Sequence, residues 1–264
     1  MKFKYTDYHL HTKWSVDIVE NGPSFSEYIE IAERNRINIC FLEHFELLYI
    51  EREKSYPFYD GKINDYLEEI DILKETYDFI LAGLEVDYYE NREIELSEFM
   101  DDFGNELDFI AGTIHEWVFG YPVTNREKVL ELSEKISMKK LIDDYFKISE
   151  MMINSQIFKN VCHIDTIFRY INPHDIVPTD DCNISEDRVL KLGQMCIKNK
   201  INIEYNLSGL KFPLNRPFPS KEVVFKLKKE GANFFVGSDS HSISYFESQI
   251  PKVKKAYNDL AMVK

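Results

Sequence analysis

Short apolar runs alternate along this chain with longer stretches in which apolar positions recur every three or four residues, the contrast between a buried strand and an amphipathic helix. Runs at residues 4–9, 37–42, 79–85, 107–114, 161–163, 201–207 and 234–239 read as strands. Between them, Ser24 and Glu27 have capping-box spacing, and Tyr28, Ile31 and Ala32 carry an apolar stripe onward. A polar helix is expected at about residues 63–76, and two helical stretches precede residue 161. Ser185 and Ser220 open further helices, the latter ending near Gly231, and the chain from Ser242 is helical. The result is about seven βα units near the ~30 residues per unit of a TIM-like barrel. Such alternation implies a parallel sheet. A doubly wound open sheet also alternates, but it would not bring seven successive strand ends to one point. The expected fold is therefore a distorted TIM-like (β/α)7 barrel.

Composition agrees with one large domain over residues 1–264. The 264 residues are 44% hydrophobic and 14% aromatic, with no linker-like stretch and no internal repeat. A net charge of -14 argues against nucleic-acid or anionic-membrane partners, which require a basic patch. It suits solubility, or a cationic substrate group drawn to an acidic pocket mouth. No run approaches the ~20 apolar residues of a membrane span, and residues 1–7 lack the apolar core of a signal peptide. A cytoplasmic protein is expected. Cys40, Cys162, Cys182 and Cys196 form no CxxC pair and read as small buried hydrophobes.

The histidines change the picture most. Six of seven, His9, His11, His44, His115, His163 and His241, close the apolar runs, with Asp17, Glu85 and Asp239 in similar places. Imidazoles and carboxylates converging from strand ends suit a cluster of divalent metals, at the barrel face where such enzymes place their chemistry. In Tyr8-His9-Leu10-His11, the i, i+2 spacing turns two imidazoles to one side of an extended segment.

Six segments in order carry a resemblance: Asp7 to Thr12, Glu43-His44, Gly83 to Asp87, Gly112 to His115, Cys162 to Asp165, and Gly237 to His241. Together they resemble the PHP (polymerase and histidinol phosphatase) family, and most of all its monofunctional histidinol-phosphate phosphatases. Residues 203–210 and 217–220 are similar to the family stretch that reads EIN-x-SGL and then YPS, with Tyr205 and Phe218 departing mildly. The resemblance implies that His9, His11, Glu85 and Asp239 hold one ion, that Glu85 bridges to a second on His115 and His163, and that Asp17, His44 and His241 hold a third. Where this chain has Asp17, many members have histidine, which leaves that site harder.

The resemblance also implies an activity: hydrolysis of L-histidinol phosphate in histidine biosynthesis, aided by two to three divalent ions (Zn, Mn or Fe) that bind the phosphoryl oxygens and activate water. No Cys or Asp nucleophile is required. Arg169, six residues past His163, suits a phosphate with its guanidinium fork. Lys211 and Arg216 are further candidates. Asp165 either orients a ligand imidazole, meets a substrate amine, or caps a helix. Glu43, Asp87, Glu204 and Asn206 are of the same kind, Glu204 or Asn206 meeting the substrate. Trp14 and Trp117 either stack on a substrate ring or pack in the core. His174 reads as a solvated loop histidine. Competing functions are a PHP phosphoesterase for another small ester, a non-catalytic PHP module, and an amidohydrolase-type barrel. Competent residues at all nine ligand positions disfavour the module. Glu85, standing where amidohydrolases have a carboxylated lysine, disfavours the last.

Overall fold

The computed structural model describes residues 1–18, 22–50, 52–170 and 186–263. Its strands are Thr6–Leu10 (β1), Asn38–Phe45 (β2), Ile80–Asp87 (β3), Phe109–Thr113 (β4), Asn160–Val161 (β5), Asn202–Asn206 (β6) and Phe234–Gly237 (β7). They form one sheet in sequence order, and every pairing is parallel. Around it lie α1 (Phe25–Asn35), α2 (Leu47–Ile50), α3 (Ile63–Lys74), α4 (Glu93–Phe103), α5 (Arg126–Ile136), α6 (Met138–Ser155), α7 (Glu186–Asn199), α8 (Lys221–Lys229) and α9 (Ile243–Met262). The expected TIM-like barrel is thus found, nearly closed and uneven: β2 and β3 run for 8 residues each, β5 for 2.

Closure is made at the ends of β1 and β7. The His11 amide donates to the Ser240 carbonyl at 3.0 Å, and the Ser240 amide donates to that of His9 at 3.2 Å. Asp7 reinforces the seam, its Oδ1 accepting from the Ser238 amide at 2.9 Å. Those same strand ends carry His9, His11, Asp239 and His241, so the seam and the candidate site are one region.

Helices α1, α5, α6, α8 and α9 start where a side chain satisfies a free amide. Ser24 accepts from the Glu27 amide at 3.4 Å, and the Glu27 carboxylate accepts from the Ser24 amide at 2.9 Å, completing the expected capping box. Ser220 and Ser242 cap α8 and α9 as the sequence suggested. Two helices were not anticipated. Helix α4 lacks a side-chain cap at Arg92 and fully buries only Leu96 and Phe99, so its periodic signal is thin. Helix α2 is a single turn with no fully buried residue. Strand β1 starts two residues later than expected, and Cys162 and His163 follow β5 rather than belonging to it. Ser185, His174 and Cys182 lie outside the described residues. Among those described, no helix is long and apolar enough to cross a membrane.

Gly112 shows how tightly the barrel wall is packed. A Cβ there would lie 2.5 Å from Phe158 Cδ2, and that ring is only 1% exposed. Gly112→Ala should therefore destabilise the fold by about 1–3 kcal/mol, the usual scale of overpacking. Chemical denaturation measures this, and an unchanged midpoint would mean that the ring yields without cost.

Candidate metal centre

The strands deliver their chemistry at one end of the barrel. His9 sits on β1 with His11 just beyond it, His44 on β2 and Glu85 on β3; His115 and His163 follow β4 and β5, and Asp239 and His241 follow β7. Asp239 has a left-handed backbone, φ 55°, a region that Asp tolerates better than most residues.

Glu85 is the centre of the cluster. Its Oε2 lies 3.1 Å from His9 Nε2, 3.3 Å from His44 Nε2 and 3.9 Å from His11 Nε2. The other oxygen, Oε1, lies 2.8 Å from His163 Nε2 and 3.5 Å from His115 Nε2. Asp239 Oδ1 is 3.5 Å from His11 Nε2 and 3.4 Å from His241 Nδ1. Asp17 joins the rim, 2.8 Å from His241 Nε2 and 3.5 Å from His44 Nδ1. All nine expected ligand residues are therefore brought together. In addition, His44 reaches Glu85 as well as Asp17, so it stands between two of the expected ligand groups.

Electrostatics set the protonation of these groups. Burial disfavours charge on Glu85, yet the facing imidazoles of His9, His115 and His163 more than offset it and hold the carboxyl well below its usual range. Burial, with His241 and His44 alongside, keeps His11 neutral. His115 is pushed down to about 3 by burial, despite Glu85. The opposite holds for His44, where Asp17 and Glu85 overcome burial and raise it to about 10. In His9, Glu204 and Glu85 likewise outweigh burial and raise it well above normal.

The donor set fits divalent cations. Glu85 Oε1, His11 Nε2 and His44 Nδ1 are buried and make no hydrogen bond. Three subsets, His9 with His11 and Glu85, His44 with Glu85 and His115, and His11 with His44 and His241, have ligand atoms close enough to share an ion. Imidazole with carboxylate suits zinc, manganese or iron better than calcium, which takes oxygen alone.

A cleft of about 410 Å³ opens onto the cluster and is bordered by seven of the nine ligand candidates. Arg169 also borders it, with Nη2 3.7 Å from Asp239 Oδ2 and Nε donating to Thr166 Oγ1 at 3.2 Å. Asp165, Lys211 and Arg216 do not line it. Arg216 is instead held by Asp165, Nη2 to Oδ2 2.8 Å, and Asp165 caps no helix amide with its side chain. Lys211 is exposed over the Tyr245 ring; Asp239 is held well below the usual carboxylate range against its burial, first by His11 and the neighbouring His9 and His241 and last by Lys211. Glu204 and Asn206 are fully buried behind the cluster and do not border the cleft. Trp14 stacks on Phe58 and Trp117 packs on Tyr145, the core alternative in both cases. The sequence reading missed Glu46, Tyr49, Glu53 and Glu116 on the cleft wall. Glu116 directly follows a ligand histidine, the one signal that could have found it.

No protein-family model matches the chain. It is 24% identical to the histidinol-phosphatase of Saccharomyces cerevisiae across 300 aligned positions, covering 96% of this chain and 88% of that protein. A candidate histidinol phosphatase from Listeria monocytogenes superposes with a TM-score of 0.78 at 17% identity, covering 91% of this chain and 96% of that one. The chain has the histidinol-phosphatase fold. The histidinol phosphate phosphatase of Lactococcus lactis, solved with zinc, L-histidinol and phosphate, superposes at 0.72 with 19% identity over 95% and 94% of the two chains. The resemblance expected from the motifs is borne out.

The raised histidines carry a consequence for cation binding. His9 and His44 hold protons at neutral pH, and a cation must displace a proton from each nitrogen it takes. Zinc binding near pH 7 should therefore release protons, and affinity should climb as pH rises toward about 10, where His44 is half deprotonated. Calorimetry in buffers of different ionisation enthalpy measures the release; heats independent of buffer would contradict these protonation states.

Proposed function

We propose that this chain is a metal-dependent phosphomonoesterase that hydrolyses L-histidinol phosphate to L-histidinol and inorganic phosphate, a step of histidine biosynthesis carried out in the cytoplasm. The observation that carries the reading is Glu85, a buried carboxylate facing five imidazoles at the floor of a cleft. Likeness in fold to a phosphatase solved with zinc, L-histidinol and phosphate supports the substrate. The three described cysteines are free, in keeping with a reducing compartment.

Two to three ions, zinc, manganese or iron, would be held by His9, His11, Glu85 and Asp239, by Glu85, His115 and His163, and by Asp17, His44 and His241. When bound, such ions neutralise phosphoryl oxygens and make water nucleophilic near neutral pH. The chain supplies the rest. Arg169 donates to the phosphoryl group and steadies charge as the bond to the departing alkoxide breaks. Glu46, Glu53 and Glu116 give the cleft a carboxyl-lined wall for the cationic part of the substrate. Burial pushes Glu46 up to about 7 and raises Glu116 as well, so the wall is only partly ionised at neutral pH until a cation faces it. Among the described residues a covalent thiol route has no support, because burial raises the thiols of Cys40, Cys162 and Cys196 and none of the three borders the cleft.

Activity should vanish on chelation and return with Zn²⁺, Mn²⁺, Fe²⁺ or Co²⁺ more readily than with Ca²⁺. Arg169→Ala should keep its metal content yet lose roughly 10²-fold to 10³-fold in kcat/KM, with Arg169→Lys recovering part. Full turnover in a metal-free sample would overturn the reading, and unchanged kinetics in the alanine variant would remove Arg169 from it.

A further inference from the structure

Behind the cluster, on the side away from the cleft, lies a set of fully buried polar groups that the proposed reaction does not use. Glu204, on β6, is 0% exposed. Its Oε1 lies 2.6 Å from His9 Nδ1, and its Oε2 accepts from the His163 amide at 3.0 Å and from Asn206 Nδ2 at 3.0 Å. The orientation of Asn206 is fixed independently, because its Oδ1 accepts from the Ser208 amide at 2.8 Å and so leaves the amide nitrogen for Glu204. An ionised carboxylate offers only acceptors. The hydrogen between Glu204 and His9 therefore belongs to His9 Nδ1.

Space for this contact is made by Gly237 on the neighbouring strand. A Cβ there would lie 2.0 Å from Glu204 Oε1 and 2.6 Å from His9 Cβ. A parallel arrangement serves His11. Ser15 Oγ donates to Glu43 Oε2 at 2.6 Å, which uses its only hydrogen, so at 2.8 Å it must accept from His11 Nδ1. Glu43 is itself held in place, taking the Thr12 hydroxyl at 2.6 Å and the Thr12 amide at 3.0 Å.

We propose that Glu204 is a positioning residue that sets the ring tautomer of His9, keeping hydrogen on Nδ1 so that Nε2 is the nitrogen that gives up its proton to a cation held at Glu85, and that Glu43 holds hydrogen on Nδ1 of His11 in the same way through Ser15. The inference rests on the reading that the cluster holds divalent ions. It distinguishes tautomer control from mere propping, since a glutamine at position 204 has nearly the same shape but carries its own donors. Two fixed donors, the His163 amide and Asn206 Nδ2, demand the glutamine oxygen. Its NH₂ must then face His9 Nδ1, which drives the ring hydrogen to Nε2 and blocks the ligand lone pair.

The test is zinc titration into metal-free wild-type protein, Glu204→Gln and Glu204→Ala, with thermal unfolding on the same samples. Glutamine should cost about 10-fold to 100-fold in zinc affinity, the scale on which groups supporting metal ligands act. Alanine should cost less in affinity and more in stability, because it leaves a cavity but lets the ring choose its tautomer. A propping role gives the reverse order for zinc, and that result, or a glutamine variant binding as tightly as wild type, overturns the inference. Nitrogen-15 histidine spectra of zinc-loaded wild-type protein test it without any variant: hydrogen on His9 Nδ1 is expected, and a bare Nδ1 contradicts it. Wild-type protein that takes up no zinc sinks the proposed function as well, whereas normal uptake with an unaffected glutamine variant sinks this inference alone.

Discussion

The carboxylate of Glu85 has five imidazole nitrogens, delivered by four strand ends, between 2.8 and 3.9 Å away and is 1% exposed. Stripping a carboxylate of water costs several kcal/mol unless positive charge replaces the water. In the metal-free chain that charge is protons on His9 and His44; bound cations supply it more fully, through ligand atoms already facing one another. The barrel is shaped to produce this convergence. Seven parallel strands aim their C-terminal ends at one point, and the β1–β7 seam that closes the sheet is made by residues interleaved with the ligands: the His9 carbonyl, the His11 amide and both backbone groups of Ser240.

The architecture and the inner ring of the site were legible because each leaves a local mark. Apolar runs ending in histidine or a carboxylate need only a few residues to be recognised, and in a barrel the strand ends meet by topology. Helix α4 was missed because its cap is absent and its apolar face narrow. The roles of the basic residues were harder to read for a different reason. Arg216 is four residues before Ser220, the cap of α8, but its partner Asp165 comes from another βα unit, and no spacing rule reveals a pairing of that kind. Glu204 illustrates the limit most sharply. Its position on β6 suggested a substrate contact, yet its side chain lies behind His9, because strand parity gives the face and not the depth along the barrel axis.

A TM-score of 0.78 at 17% identity is physically reasonable for such a fold. Many combinations of Ile, Leu, Val and Phe fill a barrel wall of given volume, whereas few residue types can occupy a position that must offer a neutral imidazole or leave room as Gly237 does. The acidic wall of Glu46, Glu53 and Glu116 belongs to neither group. It borders the cleft and gives local form to part of a net charge of -14 that in the sequence alone read first as a solubility device.

The central claim is that this cluster cleaves one cationic phosphate ester. Its most direct test is steady-state phosphate release from L-histidinol phosphate alongside sugar, nucleotide and other amino-alcohol phosphates, on protein of measured metal content. The account predicts the highest kcat/KM for L-histidinol phosphate, with amino-alcohol phosphates ahead of sugar and nucleotide esters. Equal rates across the panel, or a preference for an uncharged sugar phosphate, would contradict it.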